Sequence, residues 1–302
     1  MKIIKYFLLF VLRLVILSVT AGYIIASYYG DEIKNRIVGE LNKHITIDIK
    51  VDFVDFSVYT FIEDFPNVSL DFRNVTALSS RSFNGRQFDV NTDTLMTAKK
   101  LSLQFNIRDI WRGNYSISNI NAEDGILNIF MDSRNYGNYH FWEDDTSDTN
   151  SGIELNINDL RLEDMDFRYI NLYAAQKGET YIERLKLSGN FSSDRYTLAS
   201  KADLFIRSMY FDKVNYIDNH KVEAELEMNV DGERYMIEEA MLRIAGMPFN
   251  VGGSIYDGKD TELDLSVKGQ DLDIRSFLSL LPEDYQKYTN DYESSGDFYF
   301  ET

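Results

Sequence analysis

Hydrophobic positions along the chain pass through three regimes. From Tyr6 to Tyr29 they are almost continuous, YFLLFVLRLVILSVTAGYIIASYY, 24 residues with one charge. At about 1.5 Å rise per residue such a helix spans roughly 36 Å, enough to cross a hydrocarbon core with some tilt. The spacing then changes: Ile33, Ile37 and Leu41, with Val38 beside them, form a stripe at helical spacing. After His44 the period becomes two. Ile45, Ile47, Ile49, Val51 and Phe53 alternate with polar residues, and the phase flips to Val54, Phe56 and Val58, predicting a bulge or turn at 53–54.

The same alternation recurs to the end of the chain. It is cleanest at Val68, Leu70 and Phe72; at Leu101, Leu103, Phe105 and Ile107; at Val222, Ala224, Leu226, Met228 and Val230; and at Leu263, Leu265 and Val267. Less regular runs occur near 115–121, 126–131, 155–170, 181–191, 196–206 and 249–256. This predicts a mainly β body, an antiparallel sheet with one apolar and one polar face per strand. Residues 107–112 read as a short turn-like connection and 274–281 as a short helix stopped by Pro282. The loop Glu143–Gly152, EDDTSDTNSG, has no apolar residue. It divides the body, so the expected organisation is an anchor at 1–30, an amphipathic helix at 31–44, and β segments at 45–150 and 151–302.

The predicted anchor is carried by Phe7, Leu8, Leu9, Phe10, Val11, Leu12, Leu14, Val15, Ile16, Leu17, Ile24 and Ile25. Tyr6, Tyr23, Tyr28 and Tyr29 sit near its ends, where amphipathic rings favour the interface. Arg13 would cost about 2.5–3.5 kcal/mol at the bilayer centre, but in the first third of the span it can snorkel toward Lys2 and Lys5. A cleaved signal peptide with Val19-Thr20-Ala21 as its site is the alternative. Against it, Arg13 interrupts the apolar region, which continues beyond Ala21. Lys2 and Lys5, with no acid nearby, place the N-terminus in the cytoplasm and the body across the membrane. The stripe that follows packs on the body, or alternatively lies on the membrane surface.

Charge narrows the function classes. The chain has 302 residues and a formal net charge of −18. The first 30 residues hold three bases and no acid, so the body alone is more acidic still. Such a body repels phosphate backbones and anionic lipid headgroups alike, which argues against nucleic-acid partners. The absence of cysteine excludes disulfide scaffolds, Cys-ligated metals and thiol nucleophiles. His44, His140 and His220 are far apart, and acid pairs such as Glu123-Asp124 and Glu238-Glu239 read as solvated strand faces. No catalytic residue, metal or cofactor is expected. The DVNTD run at Asp89–Asp93 begins like a calcium loop, but Thr94 and Lys100 occupy the places of its glycine and closing glutamate.

An alternating sheet tied to a bilayer, with few helices to cover its apolar side, could curl into a trough for acyl chains. Each buried CH₂ contributes about 0.8 kcal/mol. Candidate lining residues are Val68, Leu70, Phe72, Leu101, Leu103, Phe105, Ile107, Leu226, Met228, Leu263 and Leu265. The alternative is an anchored structural or adaptor protein of the envelope with a closed core.

Several segments resemble the AsmA-like family of diderm bacteria, related to TamB and to bridge-like lipid-transfer proteins with repeating β-grooves. They are LNKHITIDIKVDFVDFSV after the apolar span, Phe65-Pro66-Asn67-Val68-Ser69-Leu70 with Asn74-Val75, and LMTAKKLSLQFNI leading to Asp109-Ile110-Trp111-Arg112-Gly113 and ISNINAEDGIL. LDIRSFLSLLP before Tyr292-Glu293-Ser294-Ser295-Gly296 completes the match. The resemblance implies the N-terminal part of a protein anchored in the bacterial inner membrane, with a periplasmic, half-barrel-like β-groove. It implies phospholipids as partners, alongside other envelope proteins, and a role in phospholipid transport or outer-membrane biogenesis.

Overall fold

The computed structural model describes residues 49–51, 53–56, 67–106, 108–109, 112, 115–139, 153–191, 195–258, 261–282, 285 and 295–302. The predicted anchor at 1–30, the helix expected at 31–44, Ile107 and the loop 143–152 lie outside them. Among the described residues thirteen strands form one sheet: β1 (Ile49–Lys50), β2 (Phe53–Phe56), β3 (Asn67–Leu78), β4 (Thr94–Asn106), β5 (Tyr115–Met131), β6 (Ile153–Asn171), β7 (Gln176–Ser188), β8 (Arg195–Phe211), β9 (Val214–Asp231), β10 (Arg234–Ile244), β11 (Met247–Asp257), β12 (Thr261–Asp273) and β13 (Asp297–Glu301). From β3 onward spatial order follows chain order, and the sheet is open. β1 and β2 both pair with β3, opposite Thr76–Ala77 and Leu70–Arg73 respectively. No helix among the described residues is long and apolar enough to cross a membrane.

The expectation of an antiparallel sheet needs one correction. β5 and β6 run parallel, from Tyr115↔Ile153 to Met131↔Asn171. A parallel neighbour cannot be reached by a hairpin, unlike the antiparallel pairs elsewhere in the sheet. Residue 150 therefore falls between two adjacent strands of one continuous sheet. The later connections are short. Ala245 and Gly246 both take positive φ, 50° and 83°, as a two-residue turn matched to strand twist requires. Arg108–Asp109 is helical, with the Arg112 amide donating back to Arg108 and Asp109. Helix α1 (Ile274–Ser279) starts on Asp273, whose carboxylate accepts from the Ser276 amide and hydroxyl at 2.7 Å each. Those bonds hold the Asp273 carboxyl below its ordinary value.

An irregular line crosses the sheet. Asn74, Asp124 and Asp164 have φ of 52°, 56° and 52°, and they occupy facing positions on β3, β5 and β6, with Lys99 of β4 between the first two. On β7 the line continues as a bulge at Glu183. Each strand places two successive polar residues on the polar side there: Arg73-Asn74, Lys99-Lys100, Glu123-Asp124, Glu163-Asp164 and Glu183-Arg184. Apolar side chains flip phase across the doublet, from Phe72 to Val75 and from Leu162 to Met165, and so stay on one face. Ion pairs tie the line together: Lys99–Asp124 at 2.5 Å, Lys100–Glu123 at 3.3 Å and Arg184–Asp203 at 2.8 Å. Exposed or half-buried, each contributes about 1 kcal/mol or less.

A second irregularity lies on β11. Gly253 has φ of +127°, and a Cβ there would meet the Asp264 carbonyl oxygen at 2.1 Å. Gly253→Ala is expected to destabilise the C-terminal strands by about 2 kcal/mol or more, read as a lowered urea midpoint.

The loop 79–93 folds against residues 132–139. Asn138, fully buried, donates to Ser79 Oγ and Asn128 O and accepts from the Phe130 amide. The Phe130 ring packs at a tilt against Phe88, and Phe88 likewise against Phe83. Asp132, also fully buried, accepts from the Arg134 and Tyr136 amides at 2.8 and 3.0 Å and from the Arg134 guanidinium at 2.8 Å. The guanidinium bond above all holds its carboxyl below the ordinary 3.8. Its stabilisation is thus fully present above that value and is lost as pH falls through the lower, folded one. The gap in urea midpoint between wild type and Asp132→Asn is expected at about pH 6 and should narrow towards about pH 3.

Candidate functional site: the apolar face

Strand register assembles the scattered alternating residues into rows that run across the sheet. In one row Phe300, Gly269, Phe249, Leu242, Ala224, Ala202, Leu185, Leu162, Ala122, Leu101, Phe72 and Val54 face one another in turn on twelve strands. No polar side chain interrupts it. The next row reads Val267, Val251, Ala240, Leu226, Ser200, Leu187, Leu160, Ile120, Leu103, Leu70 and Phe56, with Ser200 the single polar member. Beyond the irregular line a third row joins Met247, Ile244, Val222, Leu204, Ile182, Met165, Gly125, Ala98 and Val75.

The other face is charged. One of its rows runs Asp71, Ser102, Asn121, Arg161, Lys186, Lys201, Glu225, Met241, Asn250, Lys268 and Glu301. Facing pairs in it bond directly: Ser102 donates to Asp71 at 2.6 Å, Lys201 pairs with Glu225, and Lys268 with Glu301 at 2.7 Å. The partner carboxylates raise the pKa of both lysines.

Every predicted lining residue within the described part takes its place on the apolar face. Their surroundings differ along the sheet. Val68, Leu70 and Phe105 are 0% exposed, and Phe72 and Leu103 are buried. Leu101, Leu226 and Met228 are half-buried. Leu265 is 37% and Leu263 65% exposed. Leu265 faces Gly253, then Ile237, Met228 and Leu198, so bare and half-buried positions form one continuous strip.

Part of the C-terminal apolar face is filled from within the chain. Phe277 of α1 packs on Phe298 and Phe300, in a cluster with Met247, Phe249 and Leu272. The pattern 274–281 predicts this helix but not its seat on the sheet. Beside its end lies a cavity of about 550 Å³ bounded by Tyr210, Lys213, Tyr216, His220 and residues 279–282. Among the described residues no three His, Asp or Glu side chains gather as a metal site.

No family model, characterised protein or solved structure matches the chain.

Proposed function

We propose that the chain is a membrane-anchored lipid-binding protein of AsmA-like type, whose apolar sheet face accepts phospholipid acyl chains for transport or envelope assembly. In this reading residues 6–29 span the bacterial inner membrane, the N-terminus is cytoplasmic and the sheet lies in the periplasm. One observation carries it: an apolar face continuous across twelve strands that becomes bare towards Leu263 and Leu265. Closing that face on water-excluding acyl chains gains roughly 25 cal/mol per Å² of apolar surface, with no need for directional contacts. The polar doublets support a curl. Two residues per strand on the polar side lengthen that side, and bulged strands bend and twist more strongly, which is what a sheet curled towards its apolar side requires. Phospholipid copurifying with the detergent-extracted full chain, read by native mass spectrometry, is the test. A chain that carries none refutes the proposal.

The complete burial of Val68, Leu70 and Phe105 favours a second reading for the first strands, a closed core in an anchored adaptor. Lipid-free protein with its apolar face protected from solvent would support that reading instead.

A further inference from the structure

The long strands end together at one end of the sheet. β3 finishes there at Leu78 opposite Thr94, β5 and β6 finish in register at Met131 and Asn171, and β8 turns into β9 at Asp212–Lys213. The β6–β7 turn at 172–175 and the β8–β9 turn are neighbours, joined by the Asp212 amide donating to Ala175 O at 2.7 Å. Both expose rings. Tyr173 is 67% exposed, Phe211 45% and Tyr216 51%. Tyr216 is the extra residue of a bulge opposite Met209 and Tyr210, and its ring meets Phe211 edge-on at 5.6 Å between centroids. Bulges re-aim side chains in this way, and nothing in a hairpin turn requires aromatic residues at its tip. Lys213 stands beside them.

The preceding chain joins the sheet at this same end. Ile49 of β1 faces Ala77, one residue before β3 stops. Residues 1–48, with the apolar run Tyr6–Tyr29, are therefore attached at the ring-bearing end rather than the opposite one. Across the sheet, at about 4.8 Å per strand, that point lies roughly 20–35 Å from the rings.

We infer that the β6–β7 and β8–β9 turns seat on the bilayer interface, so that the strands stand on the membrane with this end down. Tyr and Phe rings have an apolar body suited to the headgroup level, and an exposed lysine can keep its ammonium among phosphates while its stem lies in the interface. The inference rests on reading 6–29 as a membrane span and adds an orientation to it. In that orientation the cavity bounded by Lys213 and Tyr216 opens beside the bilayer.

The absence of cysteine allows single probes to be placed in the full chain. Bimane is attached at Ala174→Cys, in the ring-bearing turn, or at Glu233→Cys, in the β9–β10 turn at the other end. The proteins are held in phosphatidylcholine nanodiscs containing shallow doxyl-labelled phosphatidylcholine. The Ala174→Cys probe should lose most of its fluorescence while the Glu233→Cys probe keeps its own. Tyr173→Ser alone, and Tyr173→Ser with Phe211→Ser and Tyr216→Ser, should restore the Ala174→Cys signal without changing far-ultraviolet circular dichroism. Equal signals from the two ends overturn the inference, whether both probes are quenched or neither is. If the ends are equal while phospholipid still copurifies, the orientation fails and lipid binding stands. If the Ala174→Cys probe is quenched on a chain carrying no phospholipid, the orientation stands and lipid binding fails.

Discussion

Leu70→Asp is expected to prevent the N-terminal half of the sheet from assembling. Leu70 is 0% exposed, faces Leu103 on β4 and Phe56 on β2, and belongs to an apolar row with no cation in it. A carboxylate there must either protonate or remain unpaired, at a cost of several kcal/mol. That is comparable with the about 5–15 kcal/mol by which a typical domain is stable. Loss of the strand signal in circular dichroism, or a urea transition shifted towards zero denaturant, is the expected readout. Lys268→Ala, on the polar face, removes only an exposed pair with Glu301 and should move the midpoint little.

Leu265→Asp lies on the same apolar face and is expected to do something different. Its side chain is already 37% exposed, so the new carboxylate can stay hydrated, and stability should change by under about 1 kcal/mol. Bound phospholipid should nevertheless fall about tenfold or more, because an acyl chain laid along Leu265, Met228 and Leu198 would have to dehydrate that charge. Leu226→Asp, at a half-buried position one row away, combines the two effects: some lost stability and no copurifying lipid. A closed-core adaptor predicts another order, in which lipid never copurifies and Leu265→Asp is silent. The contrast between Leu70 and Leu265 thus separates a face filled by its own side chains from one left for a ligand.

Much of this face was legible in the alternation. The sets at 68–72, 101–105, 226–228 and 263–265 fall on one side because period two is preserved between irregularities and each phase flip is compensated. The pattern also located α1, whose cap at Asp273 and stop before Pro282 are local. What escaped were long-range facts. The runs near 115–121 and 126–131 look like two strands because Glu123-Asp124-Gly125 breaks the alternation, yet β5 passes straight through. The break is one crossing of the transverse line, and it becomes meaningful only when Asn74 and Asp164 are found beside it. Polar doublets interrupting strand after strand were the available signal. The parallel β5–β6 pair was not legible, since neither strand's composition records the direction of its neighbour. Nor could alternation tell Leu70 from Leu263: identical in pattern, they differ by everything that other parts of the molecule place over them.

The most direct measurement places a photoreactive benzoylphenylalanine at single positions of the full chain in intact cells, followed by irradiation and mass spectrometry. Substitution of Met228, Val251 or Val267, on the apolar face, should yield adducts with the mass of a phospholipid, whereas Glu225, Asn250 or Lys268, on the polar face of the same strands, should yield none. Adducts of equal yield on both faces, or no lipid adduct at any apolar position, would contradict the account.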